Sequence, residues 1–245
     1  MKKRSLIKLR DVDRRFEEMP AEKRNFRTQP LREQVYDYLM LKIRDGEIHP
    51  GASINLRKLS GELGISITPL RDALLQLEGA GLVTIVPRRG ITLRTFTLKD
   101  VENYYDAIGM IEAHALESVV RQITSEQCKA LRKINQQIWE LSADGNFRES
   151  YTLNKSFHLF YMSLSDKSFL QTLWLDIWHR LYYSPVNVVN TLEWESICHE
   201  QHEELIAALE ARNLKAAVVA TRDKHWSFKD QRKYIVEYYA FGEGR

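Results

Sequence analysis

Three histidines and an asparagine in this 245-residue chain could do chemistry together if helices bring them to one place. Asn154 and His158 are four apart, so a helix points both the same way, on a face that also carries Tyr151, Tyr161 and Met162. His202 falls in phase with Cys198, Leu205 and Leu209, the inward stripe of its helix. His225 falls in phase with Val218, Thr221 and Phe228 on the last helix. Three helices thus turn an imidazole toward a shared interior, as in bundle metal centres, and imidazoles suit Zn, Ni, Fe or Cu. The same phases suit ordinary core histidines, and His114, His179 and His199 make a histidine on a helix unremarkable here. Spacing leaves both readings open.

A second group could read nucleic acid. Ser66, Ile67, Thr68 and Arg71 stand in the first turns of a helix whose Leu70, Ala73, Leu74 and Leu77 face inward. An arginine there can take a guanine edge bidentately, while hydroxyls and the helix N-terminus suit phosphate. Arg88-Arg89-Gly90 forms a basic turn suited to phosphate or a minor groove. The bland alternative is an ordinary αα-hairpin followed by a solvated turn.

The elements that must position these groups are marked by their caps. Asn55 precedes a helix with Leu56, Leu59 and Leu63 on one face, and Gly64 stops it. Ser66 caps the next helix, with Thr68-Pro69 in its first turn and Gly79 and Gly81 at its end. Two β-rich runs, 82–86 and 91–95, flank Pro87-Arg88-Arg89-Gly90. This order is that of a winged helix-turn-helix. A preceding helix starts at Thr28 or Gln29 with Pro30, carries Leu31, Val35, Tyr38, Leu39 and Ile43, and ends at Gly46; residues 47–53 read as a loop.

Thr97-Leu98-Lys99-Asp100 is a capping-box start, and from there the chain reads as helical. Six helices are expected, at about 98–123, 125–142, 147–165, 168–187, 193–211 and 214–238, packed as an antiparallel bundle. Pro185 is one of the expected breaks. The fold class is therefore mainly α. Residues 1–27 are a flexible basic tail, 28–96 the winged domain, 97–239 the helical domain, and 240–245 a frayed tail.

Charge is divided between the two halves. Residues 1–96 hold 19 Lys+Arg against 12 Asp+Glu, a net of +7; the remaining 17 and 21 give −4. The basic half is the one with the helix-turn-helix, as nucleic-acid binding requires. Two cysteines, Cys128 and Cys198, cannot make a disulfide framework and fit a reducing cytoplasm. The basic start never reaches an apolar run, so neither a signal peptide nor a membrane span is expected.

The winged region resembles the GntR family of bacterial regulators, through Leu59, Leu63, Gly64, Ser66, Thr68, Pro69, Arg71, Ala73, Leu74, Leu77, Gly81, Leu82, Arg89 and Gly90. The resemblance implies DNA contacts from Arg57, Ser66, Ile67, Thr68, Arg71 and the wing around Arg89-Gly90. Ile67 departs from the arginine that many members carry, and could instead read a thymine methyl.

Residues 97–238 resemble the FCD ligand-binding domain of the FadR-type branch, through Asn154-Lys-Ser-Phe-His158, His202, Ala216-Ala217, His225 and Glu112. Six helices lie nearer a VanR-like subgroup. The resemblance implies a divalent metal on Asn154, His158, His202 and His225, with open positions for a small organic acid. Three departures stand out. Asn154 replaces an aspartate, Ile108 an effector-binding arginine, and the interval from His202 to His225 is one residue longer than the family pattern, the extra residue being assigned to the inter-helix turn. Arg121, Arg180, Tyr183 and Asn187 are further candidates for the pocket lining, whereas Trp139, Trp174, Trp178 and Trp194 are expected as packing.

The implied protein is a homodimeric repressor on a short palindrome of double-stranded DNA, not an enzyme. Rival readings are a helical domain that only dimerises, one with a metal-free acyl pocket, and a metal-dependent hydrolase with a DNA-binding head. The hydrolase would need a general base near the metal, and Glu203 and Glu204 turn away from it on their helix.

Overall fold

The computed structural model describes residues 30–44, 47–182 and 191–239. The expected tails, the Thr28 or Gln29 cap, Gly46, Pro185, Tyr183 and Asn187 lie outside the described residues.

The N-terminal head contains α1 (Leu31–Arg44), α2 (Leu56–Leu63), α3 (Ile67–Gly79), β1 (Val83–Val86) and β2 (Gly90–Leu93). The strands pair antiparallel, from Val83 opposite Leu93 to Val86 opposite Gly90. Leu70, Ala73, Leu74 and Leu77 of α3 are buried with Val35, Leu39 and Ile43 of α1 and with Leu82, Ile91 and Leu93. The helical and two-residue periods read from the sequence thus converge on one core. Leu56, Leu59 and Leu63 pack on it only partly buried. The segment expected as a loop does more than connect. Its end pairs with β2, through Ile54 N–H to the Ile91 carbonyl at 2.8 Å and Leu93 N–H to the Ala52 carbonyl at 2.9 Å. No alternating pattern announces so short an edge.

The bundle contains α4 (Leu98–Gln122), α5 (Ser125–Ala143), α6 (Phe147–Met162), α7 (Ser168–Leu181), α8 (Thr191–Glu210), α9 (Leu214–Val218), a π-helix (Val219–His225) and α10 (Phe228–Tyr238). Capping boxes open α4 at Thr97 and α5 at Thr124. The core runs from Val101 and Ile108 on α4 through Phe157 and Tyr161 on α6 to Trp174 and Trp178 on α7 and Leu205 and Ile206 on α8. Among the described residues no helix is long and apolar enough to cross a membrane.

The expected final helix is corrected. It is three segments, because a π-turn widens the coil before His225 and Ser227 caps a new start by accepting from Asp230 N–H. A π-turn absorbs an added residue inside a helix, so the surplus in the interval from His202 to His225 does not require the inter-helix turn.

Candidate functional site

In the head, the candidate DNA groups are each exposed. Asn55 Oδ1 accepts from the N–H groups of Arg57 at 3.0 Å and Lys58 at 3.1 Å, fixing the start of α2 with Arg57 exposed. Gly64 then takes φ +64°, the turn that aims α3. Ser66 precedes α3 in extended backbone, but its hydroxyl makes no capping bond and stays exposed, contrary to the cap expected of it. Ile67, Thr68 and Arg71 are exposed beside it while the leucines face inward. At the wing tip, Arg88 takes φ +64° and Gly90 φ +118°, and Arg88, Arg89 and Gly90 are all exposed.

The histidine group lies inside the bundle. His158 comes from α6, His202 from α8 and His225 from the end of the π-helix, at 1 %, 2 % and 7 % exposure. One ring nitrogen from each falls within 4.8 Å of the others. Each ring meets an acceptor at Nδ1. His158 Nδ1 meets Glu112 at 2.9 Å, His202 Nδ1 meets Asn135 Oδ1 at 3.0 Å, and His225 Nδ1 meets Gln201 Oε1 at 3.2 Å. With the proton on Nδ1, each Nε2 keeps its lone pair. His158 Nε2, His202 Nε2 and Asn154 Oδ1 are buried and make no hydrogen bond. Buried acceptors of this kind are costly unless something satisfies them, and a divalent cation between the rings would satisfy the two imidazole nitrogens.

The electrostatics agree with that donor set. Burial, with His225, His158 and His199 as neighbours, holds His202 well below the usual imidazole range. Burial and His158 push His225 down to about 3, against the pull of Glu112. Both rings are therefore neutral, the state that ligates. Glu112 is fully buried. Burial pushes its carboxyl up, but His158 and Tyr161 outweigh that and hold it below the usual range. It accepts from Tyr161 at 2.5 Å, Trp174 Nε1 at 2.5 Å and Trp226 Nε1 at 2.8 Å. Glu203 donates no free base. Its Oε1 accepts from Asn135 Nδ2 at 2.8 Å and its Oε2 from Arg132 at 3.0 Å, so it steadies the residue that orients His202.

Beside Asn154 and His225 opens a cavity walled by Tyr105, Tyr151, Tyr182, Trp194 and Tyr238, with Glu195 among them. Trp194, expected as packing, is a wall of this cavity. Trp174 and Trp178 are fully buried, and Trp174 also serves Glu112.

Arg121 and Arg180, offered as pocket residues, are not among those lining the cavity. Arg121 Nε donates to the Glu117 carbonyl on its own helix. Arg180 turns to the head. Its Nε donates to the Ala80 carbonyl, at the end of α3, at 2.7 Å, and its guanidinium lies 5.9 Å from the Tyr104 ring centre. Gly81, at φ +75°, makes room, since a Cβ there would come within 3.2 Å of that guanidinium. Both arginines lie near helix ends, where phase says least about direction. Sequence reading also missed Asn135, Gln201 and Glu195. Asn135 carries a signal in retrospect, a buried amide between Leu131 and Ile138 on an apolar stripe; Gln201 carries none.

The family described as bacterial regulatory proteins, gntR family, matches residues 31–93, and the FCD domain matches residues 103–224. The uncharacterized HTH-type transcriptional regulator YdhC of Bacillus subtilis is 27 % identical over 186 residues, 75 % of this chain and 83 % of that protein. The HTH-type transcriptional regulator McbR of Escherichia coli is 24 % identical over 184 residues, 74 % and 82 % of the two chains. The solved structure of E. coli McbR/YncC shares the fold with a TM-score of 0.65 at 21 % identity, covering 88 % of this chain and all of that one.

Proposed function

Because this chain belongs to the GntR family of bacterial regulatory proteins, with an FCD domain behind its winged helix, it is a DNA-binding transcriptional regulator, and we propose that it answers to a metal-dependent small-molecule effector. The observation that carries this reading is the approach of one ring nitrogen from each of His158, His202 and His225 to within 4.8 Å of the others, with His158 Nε2 and His202 Nε2 buried and without hydrogen bonds. These three histidines and Asn154 would hold a divalent ion such as Zn or Ni. Asn154 supplies an amide oxygen in place of a carboxylate, which keeps a donor and gives up a charge. The bound ion supplies a positive centre that attracts an acid group of the effector.

The chain's own residues do the rest. Glu112, Asn135 and Gln201 hold the three imidazoles in the ligating tautomer. DNA contact falls to Arg57, Ser66, Ile67, Thr68 and Arg71, with Arg88, Arg89 and Gly90 on the wing. Two copies in a homodimer would read a short palindrome, with Arg71 toward a base edge and the wing toward phosphate. Effector binding then shifts operator affinity. A ~100-fold change needs a differential interaction of only about 2.7 kcal/mol. In keeping with the family resemblance the protein is read as a cytoplasmic repressor, and transcription from a template bearing its operator should fall when it is added.

The direct test is elemental analysis of gently purified, untagged protein. The expected result is about one metal ion per chain. A ratio near zero that persists after incubation with Zn, Ni or Mn overturns the metal reading.

A further inference from the structure

We propose that the cavity beside the histidines selects an effector ending in a protonated amine, held by Glu195 and the surrounding rings, and rejects di- and tricarboxylic acids. This rests on the effector reading above and names its ligand class. The walls are unusual for a site meant to hold an anion. Among the described residues that line it there is no lysine or arginine. Ile108, at the position where the family resemblance puts an effector-binding arginine, is completely buried in the bundle core. The second carboxylate of a dicarboxylic acid therefore meets no cation among the described residues that line the cavity.

What it would meet is Glu195. This residue stands in the early turns of α8, lines the cavity, and bonds to the Ser142 hydroxyl. Burial pushes its carboxyl up to about 7, against the Ser142 bond. A half-buried carboxyl pushed up in this way takes a proton or a cation. The rings form a continuous wall. Tyr151 and Tyr182 are 5.0 Å apart, Tyr182 and Tyr238 6.2 Å, and Tyr238 and Trp194 5.9 Å between centroids. Aromatic faces attract ammonium groups and repel carboxylates. Carboxyl and rings thus favour the same charge. The ligand with complementary ends is an amine-bearing acid, its carboxylate toward the histidines and its ammonium toward Glu195.

The test uses full-length, metal-loaded protein and matched ligands that differ only at one end. Isothermal titration compares 5-aminovalerate, glutarate and valerate, and in parallel 4-(aminomethyl)benzoate, terephthalate and 4-methylbenzoate. The ammonium member of one series should bind at least tenfold tighter than its carboxylate and methyl partners. Glu195→Gln should reduce it to the level of the methyl partner with metal content unchanged. Benzylamine, which has no acid end, is titrated against metal-free protein. Binding lost in Glu195→Gln upholds the cation subsite even if the metal reading fails. The proposal is overturned if a dicarboxylate binds as tightly as its amine partner. It is equally overturned if the amine preference survives Glu195→Gln, or if no amine, benzylamine included, binds in a Glu195-dependent way.

Discussion

Glu112 gathers four donors, His158, Tyr161, Trp174 and Trp226, around one carboxylate with no exposure to solvent. Its bond to His158 Nδ1 settles which nitrogen of that ring is left to ligate. Groups that orient a ligating histidine typically set metal affinity by a factor of about 10–100. Glu112→Gln should weaken binding by that factor in competition with a chromophoric chelator, because an amide nitrogen then faces donors. Unchanged affinity would remove Glu112 from the site. His158→Ala and His202→Ala should each lower metal content by elemental analysis; loss in only one would break the convergence of the two rings.

His179 gives the residue scale its pH dependence. Burial, and then the Lys155 ammonium, push this imidazole from its ordinary 6.5 to about 4. The folded pKa is depressed, so the unfolded chain takes up the proton first. The stability that this ring contributes is full above pH 6.5 and is lost as pH falls toward 4. The melting temperature of the metal-free protein should fall across that window, and His179→Gln should flatten part of the decline. At this scale the sequence showed the inward histidines, because helical phase alone points a side chain. It did not show Asn135 or Gln201, whose partnership with a ring depends on how two helices sit against each other.

Elements are joined here by close approaches as much as by packed leucines. Gly109 of α4 faces Trp226, the residue after the π-helix, and a Cβ at Gly109 would lie 3.0 Å from the Trp226 Cβ. Gly109→Ala should cost about 1–3 kcal/mol by overpacking. The displaced Trp226 also serves Glu112, so a lower melting temperature should come with weaker metal binding. A variant that melts as before would mean that α4 and the π-helix can slide apart at no cost. Caps made several helix starts legible, Asn55 and Thr97 among them. The break in the last helix was not legible, since no glycine or proline marks Val219–His225 and a π-turn needs neither. The pairing of residues 52–54 with β2 escaped for a related reason, being too short to show a period.

For the whole molecule, the separation of charge makes its own prediction. The basic half carries the exposed arginines of α3 and the wing, so operator affinity should fall steeply with salt in a fluorescence-anisotropy titration. Arg71→Ala should abolish specific binding while leaving the association state unchanged; wild-type affinity would remove α3 from the major groove. Family and two-part order were legible from motif residues alone. The junction was not. Arg180 looked like a pocket residue, and the structure has it on the Ala80 carbonyl at the end of α3. Arg180→Ala should leave metal content intact and shrink the difference in DNA affinity between effector-loaded and effector-free protein.

That contact joins residues 100 positions apart, and it has a consequence for synthesis. The buried residues of the head's core end at Phe96, with Tyr104 of α4 packed against them, so the head can fold at the ribosome long before α7 is made. Its α3 is first unbraced and gains Arg180 only when most of the bundle exists. A chain clipped between the head and α7 keeps the DNA-binding head and loses Arg180, the side chain that braces the end of α3.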